Sequence, residues 1–267
     1  MPSECNTDVF SHTIEKNSMM RKYYNVFSSY FLLKNIIIKR ELALCTKRKK
    51  GAQHVIYPGF GIGQLLSLFS NEAKYNVLAI DKNNHFVANS TAYFYEENVK
   101  NIYCKTDDIT QINYQNNFDY GLCVNLLNYI EDDVLALKNL YKSLKPSGVL
   151  IIFNASNYAD YKDIKLETGI YKDHKFRNGY SMDEMRDKLK KAGFAKVKIR
   201  YVYGVPGIIS WKITTGFPSL WIKKTKFFYF LLPFYSLLLF PAVLLLNFIE
   251  IAIPHKKGKC IIVKAFK

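Results

Sequence analysis

The stretch FFYFLLPFYSLLLFPAVLLLNFI, residues 227–249, contains no charged side chain. Nothing else in the chain restricts the fold as much, because so much apolar surface has to be covered either by protein or by lipid. One straight helix of this length would reach roughly 34 Å, enough to cross a bilayer core. Pro233 and Pro241 interrupt the run, however, and are expected to divide it into segments too short to span. Lys223, Lys224 and Lys226 precede it, and His255, Lys256, Lys257 and Lys259 follow it. Both flanks are therefore expected on one cytoplasmic side, against anionic head groups, with Trp211 and Trp221 at the interface. An in-plane or re-entrant hairpin dipping into one leaflet satisfies these constraints. A folded helical cap, buried on the domain or in a dimer, fits the same pattern, and so does a lipophilic substrate tunnel.

The 267 residues are enough for one domain with a substantial insertion. Against 22 Asp+Glu stand 38 Lys+Arg, a formal net charge of +16 that suits nucleic acid or an anionic membrane surface. Lysines flanking a large apolar block favour the membrane. Nucleic acid is disfavoured, because no separate basic, aromatic-rich recognition module is present. Cys5, Cys45, Cys104, Cys123 and Cys260 are scattered without a C-x-x-C pair, which argues against disulfides or zinc and for a reducing, cytosolic setting. The opening MPSECNTDVF has acidic residues and no apolar h-region, so no signal peptide is expected.

Ahead of Gln53, HTIEKNSMMRKYYNVFSSYFLLKNIIIKRELAL has mixed three- and four-residue apolar spacings without Gly or Pro, which predicts one or two helices. From Gln53 the pattern becomes short apolar runs (HVIYP, NVLAID, NIYCKTD, FDYGLCVN, GVLIIFN) separated by amphipathic stretches such as DDVLALKNLYKSLKP. That alternation predicts parallel β-α-β units in a three-layer α/β sandwich.

The first unit carries the chemistry. YPGFGIGQLLSLFS places Gly59, Gly61 and Gly63 after a strand and at the expected start of a helix, where backbone can approach a ligand. The spacing is G-x-G-x-G, and Gln64 stands where a dinucleotide fingerprint needs its third Gly, which counts against a nicotinamide dehydrogenase. Asp81 ends VLAID at the tip of the second strand, where a carboxylate can accept both hydroxyls of a ribose. Asp107 and Asp108, in CKTDDI, close the third strand and can accept from an adenine amino group.

The ordered run GFGIG…VLAID…TDDI…FDYGLCVNLLNYIEDDVLALKNLYKSLKPSGVLII resembles the class I S-adenosylmethionine-dependent methyltransferases, over roughly residues 53–194 plus the last strand. The resemblance implies a Rossmann-like, seven-stranded α/β sheet whose last strand is antiparallel, with S-adenosylmethionine as cofactor. It assigns Gly59, Gly61 and Gly63 to the methionine-side loop, Asp81 with Lys82 to the ribose, Asp107 and Asp108 to the adenine, and Asn125 with Leu126 to the floor beneath the sulfonium. Tyr57 stands where the family usually has an acidic residue, and offers one hydroxyl instead. The implied organisation is N-terminal helices over residues 1–50 as a lid, a methyltransferase domain over 51–204 plus 258–267, and a hydrophobic helical insertion over 205–257 before the last strand.

Methyl transfer from a sulfonium is an in-line displacement in which positioning supplies much of the rate, with a base needed for a hydroxyl or acidic-carbon acceptor. His174 in KDHKFRNGYS is the candidate base, and Arg177 a candidate to polarise an oxygen or bind an anionic group; both also fit as surface residues capping the helix that begins at Ser181. His85 is expected near the cofactor, and Tyr129 in the pocket wall or the core. The expected function is methylation of oxygen or carbon on a lipophilic acceptor such as a quinone, polyene, phenolic lipid or fatty-acyl derivative, at the inner face of a membrane. The alternative is a cofactor-binding but inactive subunit of a membrane-bound, lipid-modifying assembly. A nucleic-acid methyltransferase fits least, because NLLNYI stands where amino-directed enzymes show Asn-Pro-Pro-Tyr or Asp-Pro-Pro-Tyr.

Overall fold

The computed structural model describes residues 27–28, 31–46, 51–159, 177–225 and 228–267. Strands β1 (Gln53–Pro58), β2 (Tyr75–Asp81), β3 (Ile102–Thr106), β4 (Phe118–Val124) and β5 (Leu144–Ala155) are parallel. β6 (Lys196–Val202) is separated from β5 by β7 (Cys260–Phe266), which pairs antiparallel with both, in the order β3-β2-β1-β4-β5-β7-β6. This is the seven-stranded sheet with an antiparallel last strand that the resemblance implies.

The central strands are buried on both faces, and their side chains alternate between two cores, as the two-residue period of a strand requires. On β5, Val149, Ile151 and Phe153 enter one core, while Leu150 and Ile152 enter the other. The first core is covered by α1 (Leu33–Thr46), through Leu33, Ile37, Ile38 and Leu42, and by Phe86, Val87 and Phe94 of α3 (Asn84–Glu96), which follows the short α2 (Ser67–Ser70). The second is covered by α4 (Asp133–Ser143) and α5 (Met182–Ala192), whose Leu137, Leu140, Met185 and Leu189 are fully buried. Ser181 caps α5 by accepting from the Glu184 amide, and Gly193 closes it at φ +112°.

Beyond β6 the chain rises as α6 (Val205–Trp211), a π-helical turn over Lys212–Gly216 and α7 (Phe217–Lys224), then returns as α8 (Phe228–Ala252). Here the structure corrects the sequence reading: Pro233 and Pro241 lie inside one continuous 25-residue helix. A helix-interior proline costs roughly 3 kcal/mol. Packing along the other side of α8 holds the helix through both positions. The points where this hairpin leaves and rejoins the sheet touch each other. A Cβ on Gly204 would sit 2.3 Å from His255 Nδ1, and one on Gly258 2.4 Å from the Val202 carbonyl oxygen.

The N-terminal helix is tied to the last two strands by charge. Buried Glu41 accepts from Arg200 at 2.8 Å and pairs with Lys264. Burial pushes the Glu41 carboxyl up, but the bonds from Lys264 and Arg200 outweigh it and hold it below the ordinary glutamate value. The folded pKa is thus below the unfolded one, so the stabilisation is present above about pH 4.3 and fades as pH falls through the folded value. Glu41→Gln is expected to cost about 2 kcal/mol at neutral pH, under the range for wholly buried pairs because Arg200 reaches solvent. Urea unfolding should show the gap between wild type and variant closing below about pH 4; a pH-independent gap would remove the charge from the account.

Candidate active site

A cleft of about 600 Å³ opens at the carboxyl ends of the parallel strands, within the usual size of small-molecule sites. Gly59 lines it after β1, Asp81 and Lys82 at the end of β2, Asp107 and Asp108 after β3, and Leu126 after β4, with Tyr129 and Ile130 closing one side.

The glycine loop owes its shape to the backbone. Gly59, Gly61 and Gly63 have φ of +66°, +57° and +77°, a region open to Gly but strained for other residues. At Gly59 a Cβ would lie 2.6 Å from Leu126 Cδ1, so glycine is what lets the loop lie against that leucine; at Gly61 it would meet nothing within 4 Å. The helix expected to start at the glycines begins only at Ser67 and is four residues long. Of the three glycines Gly59 lines the cleft, and the Gly59, Gly61 and Gly63 amides are donated to Ile80 O, Asp81 Oδ2 and Phe60 O, so the loop is held by its own bonds and no helix N-terminus faces the cleft.

Asp81 organises this loop. Its Oδ2 accepts the Gly61 N–H at 2.9 Å and its Oδ1 accepts the Asn83 N–H at 2.9 Å, and the residue is only 3% exposed. A carboxylate accepts several hydrogen bonds at once, so holding the loop does not bar Asp81 from accepting a ribose hydroxyl. Asp107 accepts from Lys105 Nζ at 2.8 Å and from the Asp108 amide at 2.9 Å. Asp108 pairs with Lys82 at 3.0 Å and accepts the Thr110 amide at 2.9 Å. Burial pushes the Asp108 carboxyl up, but Thr110 and Lys82 outweigh it and keep it below the ordinary value, hence ionised. Asn125, left-handed at φ +52°, sends its N–H to Phe153 O at 2.8 Å and turns the chain so that Leu126 covers the glycine loop.

Two expectations change. Tyr57 is 3% exposed and belongs to the core shared with α1, not to the cleft wall. The reason is strand parity: Tyr57 follows Val55 on one face of β1, while Ile56 enters the opposite core. Arg177 is a structural clamp. Its Nη1 lies 2.6 Å from Asp133 Oδ2 and donates to the Ile130 carbonyl at 2.9 Å, and its Nη2 donates to the Glu131 carbonyl at 2.9 Å. His174 lies outside the described residues. His85 is exposed and bonds Asn89 on its own helix at 3.1 Å, whereas Tyr129 does line the cleft.

Sequence reasoning missed Asp133. It is 2% exposed, accepts Tyr180 Oη at 2.7 Å and Lys188 Nζ at 3.0 Å as well as Arg177, and so ties α5 to the turn beneath the cleft. The signal was the pair Asp132-Asp133 at a helix start. Asp132 is the cap, accepting from the Leu135 amide, which leaves its neighbour free to point inward.

Residues 56–152 match the family model described as a methyltransferase domain. Over those residues the chain carries a methyltransferase domain, in the class I fold. It is 28% identical over 151 residues to phosphoethanolamine N-methyltransferase 2 of Caenorhabditis elegans, a match covering 56% of this chain and 34% of that relative. The chain thus spans about a third of the length of the curated relative it matches. Among solved structures, Haemonchus contortus phosphoethanolamine N-methyltransferase 2 bound to phosphomonomethylethanolamine and S-adenosylhomocysteine superposes with a TM-score of 0.59 at 17% identity, over 86% of this chain and 52% of that one. A methyltransferase of Thermotoga maritima superposes at 0.53 and 16%, over 96% and 98%. These structural likenesses speak for the fold.

The cofactor of such domains fits the residues present: open space beside Gly61, a leucine against Gly59, and carboxylates at the ends of two neighbouring strands. Asp81→Asn replaces an acceptor with an amide that faces an N–H, and is expected to weaken S-adenosylhomocysteine binding about a hundredfold by calorimetry. Gly61→Val, strained by about 1–3 kcal/mol at a positive φ, should weaken it too. Unchanged isotherms would overturn the cleft assignment. Asp133→Asn should cost about 3 kcal/mol in urea unfolding, because it leaves Arg177 and Lys188 facing a neutral amide; a loss near zero would show that the clamp is dispensable.

Proposed function

We propose that this chain transfers a methyl group from S-adenosylmethionine to oxygen or carbon of a lipophilic acceptor presented at a membrane surface. One observation carries this reading: the cleft and the base of the uncharged hairpin lie at the same end of the sheet, where the parallel strands finish. Ala155, Cys260 and Val202 are register partners across β5, β7 and β6, so the hairpin departs, at Gly204, from the edge at which the parallel strands end. An acceptor held among apolar side chains would reach the site without crossing the sheet.

Bound in the cleft, S-adenosylmethionine supplies a methyl group on a positively charged sulfonium with a neutral leaving group. The loop of Gly59 and Gly61 would receive its methionine end, Asp81 its ribose and Asp107 its adenine. Leu126 and Tyr129 would exclude water from the reacting side, and the surrounding carboxylates would favour a cationic ligand. His174 is kept in this proposal as the base for a hydroxyl acceptor.

A second reading is methylation of an amine of the phosphoethanolamine type. It is favoured by the Caenorhabditis relative and by Glu131 and Asp132 on the cleft wall, which suit a cationic acceptor.

Incubation of the full chain with methyl-labelled cofactor and either a dispersed lipid extract or phosphoethanolamine separates these readings. Label entering the organic phase, and lost in Asp81→Asn, is the expected result. Label confined to phosphoethanolamine would replace the lipophilic acceptor with the amine. S-Adenosylhomocysteine binding without transfer to either would point to an inactive membrane-bound subunit.

A further inference from the structure

The helix α8 is built inside out. Its covered side carries polar groups: Ser236, Asn247 and Glu250 are 5%, 2% and 1% exposed. Glu250 accepts the Gly204 and Gly207 amides at 3.1 and 2.9 Å and pairs with His255 Nε2 at 3.0 Å, while Asn247 accepts the Ser210 hydroxyl at 2.6 Å. These contacts fix α8 antiparallel to α6. Phe240, further along α8, meets the ring of Phe31 from the N-terminal region. The outward side is apolar: Leu231, Phe234, Leu238, Leu245 and Phe248 follow one another at steps of three, four, seven and three residues, which keeps them on one side of the helix, and are 44–80% exposed. A helix in water shows the reverse arrangement.

We propose that this outward face is sunk in one leaflet of an anionic bilayer, with α8 lying in the plane of the membrane. Three observations select this occupant and this depth. The exposed residues occupy one side of a helix about 37 Å long, a half-cylinder that a leaflet covers and water does not. Basic residues stand at both ends, with Arg40 donating to the Ile251 carbonyl and Lys256 and Lys257 exposed at one, and Lys223, Lys224 and Lys226 in the chain at the other. Exposed Lys212 sits within the first arm of the hairpin, roughly 10 Å along it, where a crossing arm would hold its charge inside hydrocarbon and an in-plane arm leaves it at the head groups. Trp221, 55% exposed near the turn, then lies at the interface.

The inference deepens the proposed function by naming the surface from which an acceptor comes, but it does not depend on catalysis. The test is flotation of the full chain with vesicles of phosphatidylcholine alone or with added phosphatidylglycerol, with S-adenosylhomocysteine affinity measured in parallel. Wild type should float with both and more strongly with the anionic vesicles. Leu238→Glu combined with Leu245→Glu should lower partitioning about a hundredfold with cofactor affinity unchanged. Lys256→Ser with Lys257→Ser should lower it about tenfold on anionic vesicles only. Trypsin added outside vesicles loaded with wild type should cut after Lys224 or Lys226; protection there would replace the in-plane arrangement with a crossing one. Flotation retained by the double glutamate variant, or a soluble dimer that the same substitutions dissociate and that never floats, would overturn the proposal. Loss of cofactor binding in wild type with flotation intact would fault the methyltransferase reading alone.

Discussion

The placement of β7 governs the molecule. By entering antiparallel between β5 and β6, it obliges everything between β6 and β7 to begin and end at one edge of the sheet. That edge is also where the parallel strands release the loops that form the cleft.

Buried polar contacts, alongside Leu232, Val243 and the Phe31–Phe240 ring contact, hold the hairpin to the domain. Glu250 satisfies two amides at the start of α6 that have no helical partner of their own, and it comes this close because Gly207 has no side chain in the way. Asn247 and Ser210 add a second buried pair. With those polar groups turned inward, the outward side of α8 is apolar, the reverse of α5. On α5, Met185 and Leu189 point in and Lys190 and Lys191 are exposed.

Most of the domain was legible from the sequence because its signals are local. Strands buried on both faces read as short apolar runs, Asp81 and the Asp107-Asp108 pair end such runs, and the glycines mark a backbone that must bend. What could not be read depended on partners distant along the chain. Tyr57 looked like a ligand contact because position two before a glycine suggests one, but which face of β1 it takes is settled by the core on either side. Arg177 looked available until Asp133, forty-four positions earlier, claimed it. The prolines looked like breaks because their local cost is real, and only the packing of α8 against its neighbours shows that it is met.

Gly204 lies against the His255 ring and Gly258 against the Val202 backbone, so the two ends of the hairpin meet where it joins the sheet. A base packed this closely restricts swivelling. If the hairpin rests on a bilayer, the whole domain keeps near one tilt over it, and the mouth of the cleft faces the membrane over a narrow range of angle and height. An acceptor dissolved in that leaflet would then be found by lateral diffusion, and the encounter rate would follow its density per unit area of membrane instead of its concentration in solution.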